Sequence, residues 1–447
     1  VKRPGVKGVR EGHGGRSLWL IGLLVGVASP VFAQFEGFDF VLMGSGARAL
    51  GMGGAFIAIA DDATASFWNP AGLTHLERPE VSVVGQYRSR RSEADIDIVA
   101  PSDGATLRDV EHKTGTVDRF SLNFVSATLP VRPLSELVGR RVVASLHYGV
   151  LFDFDVEFAG PFAAEENGIQ SRGTSSRGQR GLVGGAGLSF GIELAPTFSI
   201  GLSGFYAFGD VKFKAVDDFV LLPQGIPEID VLEITDQFSG VGFIVGALYR
   251  PSSGLSLGLV VRSPIFLRDV IHDRLDVIDP SVGTVIFSTG TQRRDESFNY
   301  PFSIGVGVAY RPVELLTFAL DIVYVNTGSL NLPTDFPPTP NTDIWQGRFG
   351  IEYLVQAGKL LIPLRAGAFY NPPPVKDVNG GEIPGYTVTA GTGIVFQDLQ
   401  IDVAYNFTKR LKRDVGALLG ETAETIVPGI LFRQRDHRVL LSTIYRF

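Results

Sequence analysis

Few residues in this chain combine the types and spacing that chemistry requires. The six histidines (His13, His75, His112, His147, His272 and His437) are scattered and make no metal-ligand spacing. There is no cysteine, which excludes disulfides and thiolate metal sites. No Gly-x-Ser-x-Gly elbow occurs. Asp95-Ile96-Asp97 and Asp153-Phe154-Asp155 are carboxylate pairs at strand spacing, suited to lining a lumen or a loop stem, or to a surface calcium site. Asp61-Asp62 suits a cation, the cap of a turn or short helix, or a lumenal Arg or Lys. Gly44, Gly46, Gly51, Gly53 and Gly54 form a run that would cradle a dinucleotide only between a strand and a helix of a βαβ unit. His147 sits in a strand pattern between Leu146 and Tyr148 with no partner assigned, and reads as structural. The expectation is no catalytic residue, no metal and no cofactor.

The elements that hold these residues are strands. The chain has 447 residues, 45% hydrophobic and 19% charged, with 54 Gly and 32 Phe. Abundant glycine, aromatic and β-branched residues without long helical stretches point to a sheet protein with many turns. A net charge of −7 argues against a nucleic-acid partner. Lys2, Arg3, Lys7, Arg10 and Arg16 precede an apolar run from Ser17 to Val27, and Ala33 stands before Gln34. Positive charge, a short apolar core and a small residue at the cut predict a signal peptide over 1–33.

Leu399, Ile401, Val403, Tyr405 and Phe407 alternate with Gln400, Asp402, Ala404 and Asn406. Segments 302–311 and 316–322 repeat this period of two, the mark of a strand with unlike faces. Short connections (195–196, 251–254, 312–313, 356–358, 397–398) alternate with long polar ones (159–179, 216–236, 270–297, 328–342, 372–383, 412–435). That sorting is the pattern of an antiparallel barrel in an outer membrane, and the count from Glu80 is about 14 strands. Val439, Leu441, Thr443, Tyr445 and Phe447 share a face of the last strand. This aromatic ending resembles the terminal strand read by the outer-membrane assembly machinery.

The stretch 44–73 contains Gly51-Met52-Gly53-Gly54-Ala55, Ala60-Asp61-Asp62-Ala63 and Asn69-Pro70-Ala71-Gly72-Leu73. In order and spacing it resembles the FadL/TodX family of outer-membrane transporters for hydrophobic compounds, and the related PorV/PorQ-type barrels. Arg262-Ser263-Pro264-Ile265 also resembles a mid-barrel strand motif of FadL proteins. The resemblance implies a 14-stranded transmembrane β-barrel over 79–447, plugged by a small N-terminal hatch over 34–78. It further implies capture of a hydrophobic molecule among the external loops, and sideways release through a gap at a kinked strand. It implies a monomer in outer-membrane lipid and lipopolysaccharide. Gly51, Gly53, Gly54, Asp61, Asp62, Asn69, Pro70 and Ala71 are the candidate hatch residues. Read alone, Asn69-Pro70 makes a fixed turn. Apolar Phe219, Leu221, Leu222, Ile430 and Phe432 fall in expected external loops and are candidates for ligand contact, or for loops packed as a cap or a barrel raised above the membrane.

Three functions fit these features. The first is passive, gated transport of hydrophobic small molecules, long-chain fatty acids among them. The second is a PorV-like shuttle or platform for protein secretion. The third, a water-filled porin, is opposed by the inner segment and the small, crowded lumenal residues.

Overall fold

The computed structural model describes residues 44–98, 109–166, 169–329, 342–373, 384–413 and 431–447. The expected signal peptide, residues 34–43 of the expected hatch, and Ile430 lie outside the described residues. The sheet begins with β1 (Glu80–Ile98), β2 (Asp109–Pro130), β3 (Val142–Asp153), β4 (Val156–Glu166), β5 (Ile169–Ala195) and β6 (Phe198–Leu222). It continues with β7 (Ile226–Ser252), β8 (Leu255–Arg262), β9 (Ile265–Asp279), β10 (Thr284–Ser288), β11 (Gln292–Tyr300) and β12 (Ser303–Val313). It ends with β13 (Leu316–Val325), β14 (Ile344–Ala357), β15 (Leu360–Tyr370), β16 (Gly385–Phe396), β17 (Leu399–Arg413) and β18 (Leu431–Arg446). β3 runs on into β4, β8 into β9, and β10 through β11 into β12, so these segments make 14 staves. β1 pairs with β18 from Glu80↔Arg446 to Asp95↔Leu431, which closes the sheet into a barrel.

The period-two pattern forces the wall to be inside out. On β12 Ser303 is buried while Ile304, Val306, Val308 and Tyr310 are exposed. A soluble protein would bury the second set; a wall in lipid buries the polar set and pairs every backbone group laterally. No described helix is long and apolar enough to cross a membrane.

One strand shows where lipid stops. Along β6 Ile200, Leu202, Tyr206 and Phe208 point outward. Further up, the same parity carries Lys212 and Lys214 outward, while Phe213, Ala215, Phe219 and Leu221 are buried inward. Phe213, Ala215, Ile234 and Ile271 form a separate apolar cluster there. The barrel therefore rises past the bilayer, with water outside and an apolar interior.

This corrects the loop boundaries. Segments 159–179, 216–236 and 270–297 are mostly strand: β6 and β7 are joined by 223–225, and β9 and β10 by 280–283. Polar residues there mark an outer face in water rather than an absence of ladder. Phe219, Leu221 and Leu222 lie on β6 rather than in a loop, and Phe432 is in β18. The short turns lie at 196–197, 253–254, 314–315, 358–359 and 397–398; Pro312 and Val313 still belong to β12.

Val306→Arg, in the middle of the lipid-facing band, should cost about 2–4 kcal/mol of barrel stability. Val220→Arg, outward on β6 but above the band, should stay within about 0.5 kcal/mol. Urea unfolding from lipid vesicles measures both; equal costs would place the top of the bilayer elsewhere.

Candidate functional site

Residues 44–76 fold into the lumen as α1 (Ala47–Gly51), α2 (Ala65–Trp68) and a 3₁₀ turn (Pro70–His75). Such short helices have almost no stability alone and are held by the wall. The wall receives them because its inward positions here are glycines. A Cβ on Gly201 would strike Pro70 and Ala71, one on Gly246 would strike Asn69, and one on Gly258 would strike Ile57. Gly350 and Gly367 lie in the same way against Met52 and Gly53. The inner segment thus touches the barrel backbone to backbone.

Polar contacts fix its register. Asp321, buried on β13, accepts from the N–H groups of Phe56 at 2.8 Å and Ile57 at 3.0 Å. Thr389 accepts from Gly53 N–H and donates to Gly51 O, both at 3.0 Å. Gly53 and Gly54 have φ of +64° and +68°, the left-handed turn that follows α1 and that side chains disfavour. Ala47 N–H donates to Ser442 Oγ at 2.7 Å. Arg48 pairs with Asp61 within the segment and with Glu352 of β14 at 2.9 Å. Glu352 also meets Arg365 at 2.7 Å, and Arg365 meets Asp402 at 2.7 Å, so a buried ion ladder crosses the wall from β14 to β17.

The candidate residues divide by role. Asp62 is a turn builder: its Oδ1 accepts from Thr64 N–H at 2.9 Å and from the Thr64 hydroxyl ahead of α2. Burial, reinforced by neighbouring Asp61, pushes the Asp62 carboxyl above the usual range. Asn69 both turns and ties. Its side chain accepts from Ala71 N–H at 3.2 Å and donates to Ile57 O at 2.9 Å and to Ala247 O on β7 at 3.1 Å. Pro70 opens the 3₁₀ turn, where a missing N–H costs nothing. Among the described residues no three His, Asp or Glu side chains group to hold a metal. His147 packs under the Phe67 ring at 4.9 Å, with Ser189 Oγ 3.2 Å from its Nδ1.

Beside the inner segment lies a small apolar pocket lined by Gly44, Phe67, Leu151, Phe205, Phe243, Ile244, Arg262, Ser263 and Ile265. Arg262 in this lining donates to Phe67 O and Trp68 O at 3.2 Å at the end of α2. Pro264 brings no N–H to the ladder; beside it Ser263 N–H donates to Phe243 O at 2.9 Å, and Ser263 Oγ accepts from Phe243 N–H at 2.9 Å. Sequence spacing gave no hint of Asp321, Thr389 or Glu352, which come from strands far along the chain. Arg262, Ser263 and Ile265 of the Arg262-Ser263-Pro264-Ile265 stretch line the pocket.

The wall has a window next to this pocket. β2 pairs with β3 from Phe124↔Gly149 to Pro130↔Val143, and meets β4 at Thr114↔Ala159. Between these, 116–123 and 150–156 face each other without backbone pairing, roughly 26 Å of strand, and Gly115 lies back against Glu157. The cause is local: β3 bulges between Val150 and Phe152, and the chain kinks at Phe154-Asp155 while staying on β5. Phe154 N–H donates to Gly181 O at 3.1 Å and Gly181 N–H to Asp155 Oδ1 at 2.9 Å. Arg119 Nη1 reaches across from β2 to Asp155 Oδ1 at 2.7 Å, and Arg88 meets Asp153 at 3.0 Å. The Asp153-x-Asp155 pair is thus an anchor of the kink. Asp95 meets Arg433 at 3.0 Å higher on the wall.

Two substitutions test how the segment is seated. Gly246→Leu should displace Asn69 and make a cysteine placed at Ala71 reactive to a water-soluble maleimide in an otherwise folded barrel. Asp321→Ala leaves two buried N–H groups without an acceptor, a loss of about 1–3 kcal/mol each. Hydrogen exchange at Phe56 and Ile57 should rise accordingly; unchanged protection would mean that the wall does not hold this strip.

The family profile described as "Outer membrane protein transport protein (OMPP1/FadL/TodX)" matches residues 33–425. A search of curated proteins finds no match. Among solved structures, a Pseudomonas aeruginosa FadL homologue aligns with TM-score 0.62 at 15% identity, over 92% of this chain and 100% of that one. The Pseudomonas putida toluene transporter TodX aligns with TM-score 0.61 at 15% identity, over 91% and 99%. The CymD monoaromatic hydrocarbon channel aligns with TM-score 0.52 at 15% identity, over 91% and 98%. At such identity the structures speak for the fold; the profile speaks for ancestry, and the chain is an outer-membrane barrel belonging to the OMPP1/FadL/TodX family.

Proposed function

We propose that this barrel passes hydrophobic small molecules inward across the outer membrane by passive, gated diffusion, with long-chain fatty acids the first class to test. The observation that carries the reading is the unpaired window between β2 and the kinked β3–β4 stave, set beside an apolar pocket. An apolar ligand gains nothing from a watery channel, and release through the wall into lipid spares it hydration. The inward apolar cluster above the bilayer, continued by Phe219 and Leu221, is the entry surface in this scheme. Gly51, Gly53, Gly54, Asp61, Asp62, Asn69, Pro70 and Ala71 belong to the hatch that seals the periplasmic half. The similar folds of a toluene transporter and a monoaromatic hydrocarbon channel favour hydrophobic cargo.

The chain has no cysteine, so paired cysteines at Ser121 and Phe152 can be bridged across the window by a short, reducible thiol crosslinker. Radiolabelled oleate and toluene uptake is then followed in cells lacking their own transporters. Bridging should lower uptake to the level of empty cells, and reduction should restore it. Uptake indifferent to the bridge would exclude the window as the exit; a folded barrel that takes up neither compound would overturn the transport reading.

A further inference from the structure

We infer that the connection between β2 and β3 is a foot that seats the window on the phospholipid of the periplasmic leaflet. At the short-turn end of the barrel the other described connections are two-residue turns, at 196–197, 253–254, 314–315, 358–359 and 397–398. The two window strands alone are joined there, among the described residues, by a longer piece containing the helix α3 (Arg132–Val138). That helix is well made. Pro133 stands in its first turn, Gly139 ends it at φ +66°, and Ser135 Oγ accepts from Val142 N–H at 3.0 Å, fastening it to β3.

A helix so carefully stopped at both ends nonetheless buries none of its residues. Leu134, Leu137 and Val138 are 39%, 81% and 49% exposed. Their spacing, i, i+3 and i+4, puts them on one face. In periplasmic water such a face is a liability. Two observations name what covers it. The strand that leads into the helix carries an established interface: Leu129 near the end of β2 is an exposed member of the lipid-facing band. And exposed Arg132 and Arg140 bracket the helix, with Glu136 the sole acid between them, in a chain whose net charge is −7. An apolar face flanked by arginines is the composition of a helix lying in a bilayer surface, where the cations meet headgroup phosphates. The occupant is therefore lipid, with anionic headgroups preferred.

This inference is independent of what the barrel transports. The test uses the full chain in vesicles of phosphatidylcholine with and without phosphatidylglycerol. A fluorescent thiol label is placed at Leu137→Cys, with Glu136→Cys as control, in protein that runs as a folded, heat-modifiable band. Emission from position 137 should shift to the blue and be quenched by brominated acyl chains, while position 136 is not. Quenching should be stronger with phosphatidylglycerol, and Arg132→Gln with Arg140→Gln should remove that excess. A label at 137 that stays water-like in both vesicles overturns the assignment. So does one that is shielded only when a soluble periplasmic extract is added, which would make the occupant a protein. Leu134→Ser with Val138→Ser, carrying the label at 137, should lose the blue shift with the barrel still folded; retention of the shift counts against the apolar face as its cause.

Discussion

Inside a bilayer there is no water to pair with a free amide, so a sheet can cross only if its first strand finds its last. Everything else in this molecule hangs on that closure between β1 and β18. Glu80 stands at the seam, ion-paired with Arg446 at 2.9 Å and accepting from Ala63 N–H of the inner segment at 2.8 Å. Wall, seam and inner segment meet at one carboxylate. Against this background the stretch where β2 and the β3–β4 stave part company is expensive, and side chains carry what the ladder does not. Arg119, Arg88, Asp153 and Asp155 bind the kink to its surroundings through charge. A kink anchored by ions rather than by backbone pairs has a defined shape and an open edge together.

The inner segment is fitted by subtraction. Most of its residues are small or apolar, and the wall yields space by having glycine where other rows have side chains. Close backbone approach then lets carboxyl, hydroxyl and amide groups of the wall satisfy donors that a short helix leaves free. The ion ladder from Arg48 through Glu352 and Arg365 to Asp402 is buried, so the loss of any one member would leave its partner's charge uncompensated. That suits a segment that must sit in one register while being only loosely structured in itself.

The barrel was legible because the alternation on segments such as 302–311 and 399–407 is local and nearly unbroken. The short turns were legible for the same reason. The height of the wall was not: beyond the bilayer the outer face turns polar, so 216–236 reads like a loop although it forms a ladder of hydrogen bonds. The Asn69-Pro70 turn could be read from the residues themselves, since proline restricts its neighbour. The roles of Asp321, Thr389 and Glu352 could not, because what each meets is fixed only by stave order and register. Asp153-Phe154-Asp155 was visible as a pair, but its work on a kink depends on a bulge that alternation does not encode. Nor does period two announce a short helix between two strands.

Sequence separation sets an order on assembly. Most staves join their neighbours through hairpins, whose ends are close along the chain and close early. The contacts of α1 with β18, such as Ala47 to Ser442, span 395 positions. Loop closure over such distances can follow only after the hairpins exist. Until the last strand arrives, the inner segment has half a socket and the first strand has a bare edge. The same residues that seal the finished barrel are therefore the ones that wait longest for their partners, and a chain halted before β18 would be an open sheet with its future stopper hanging free.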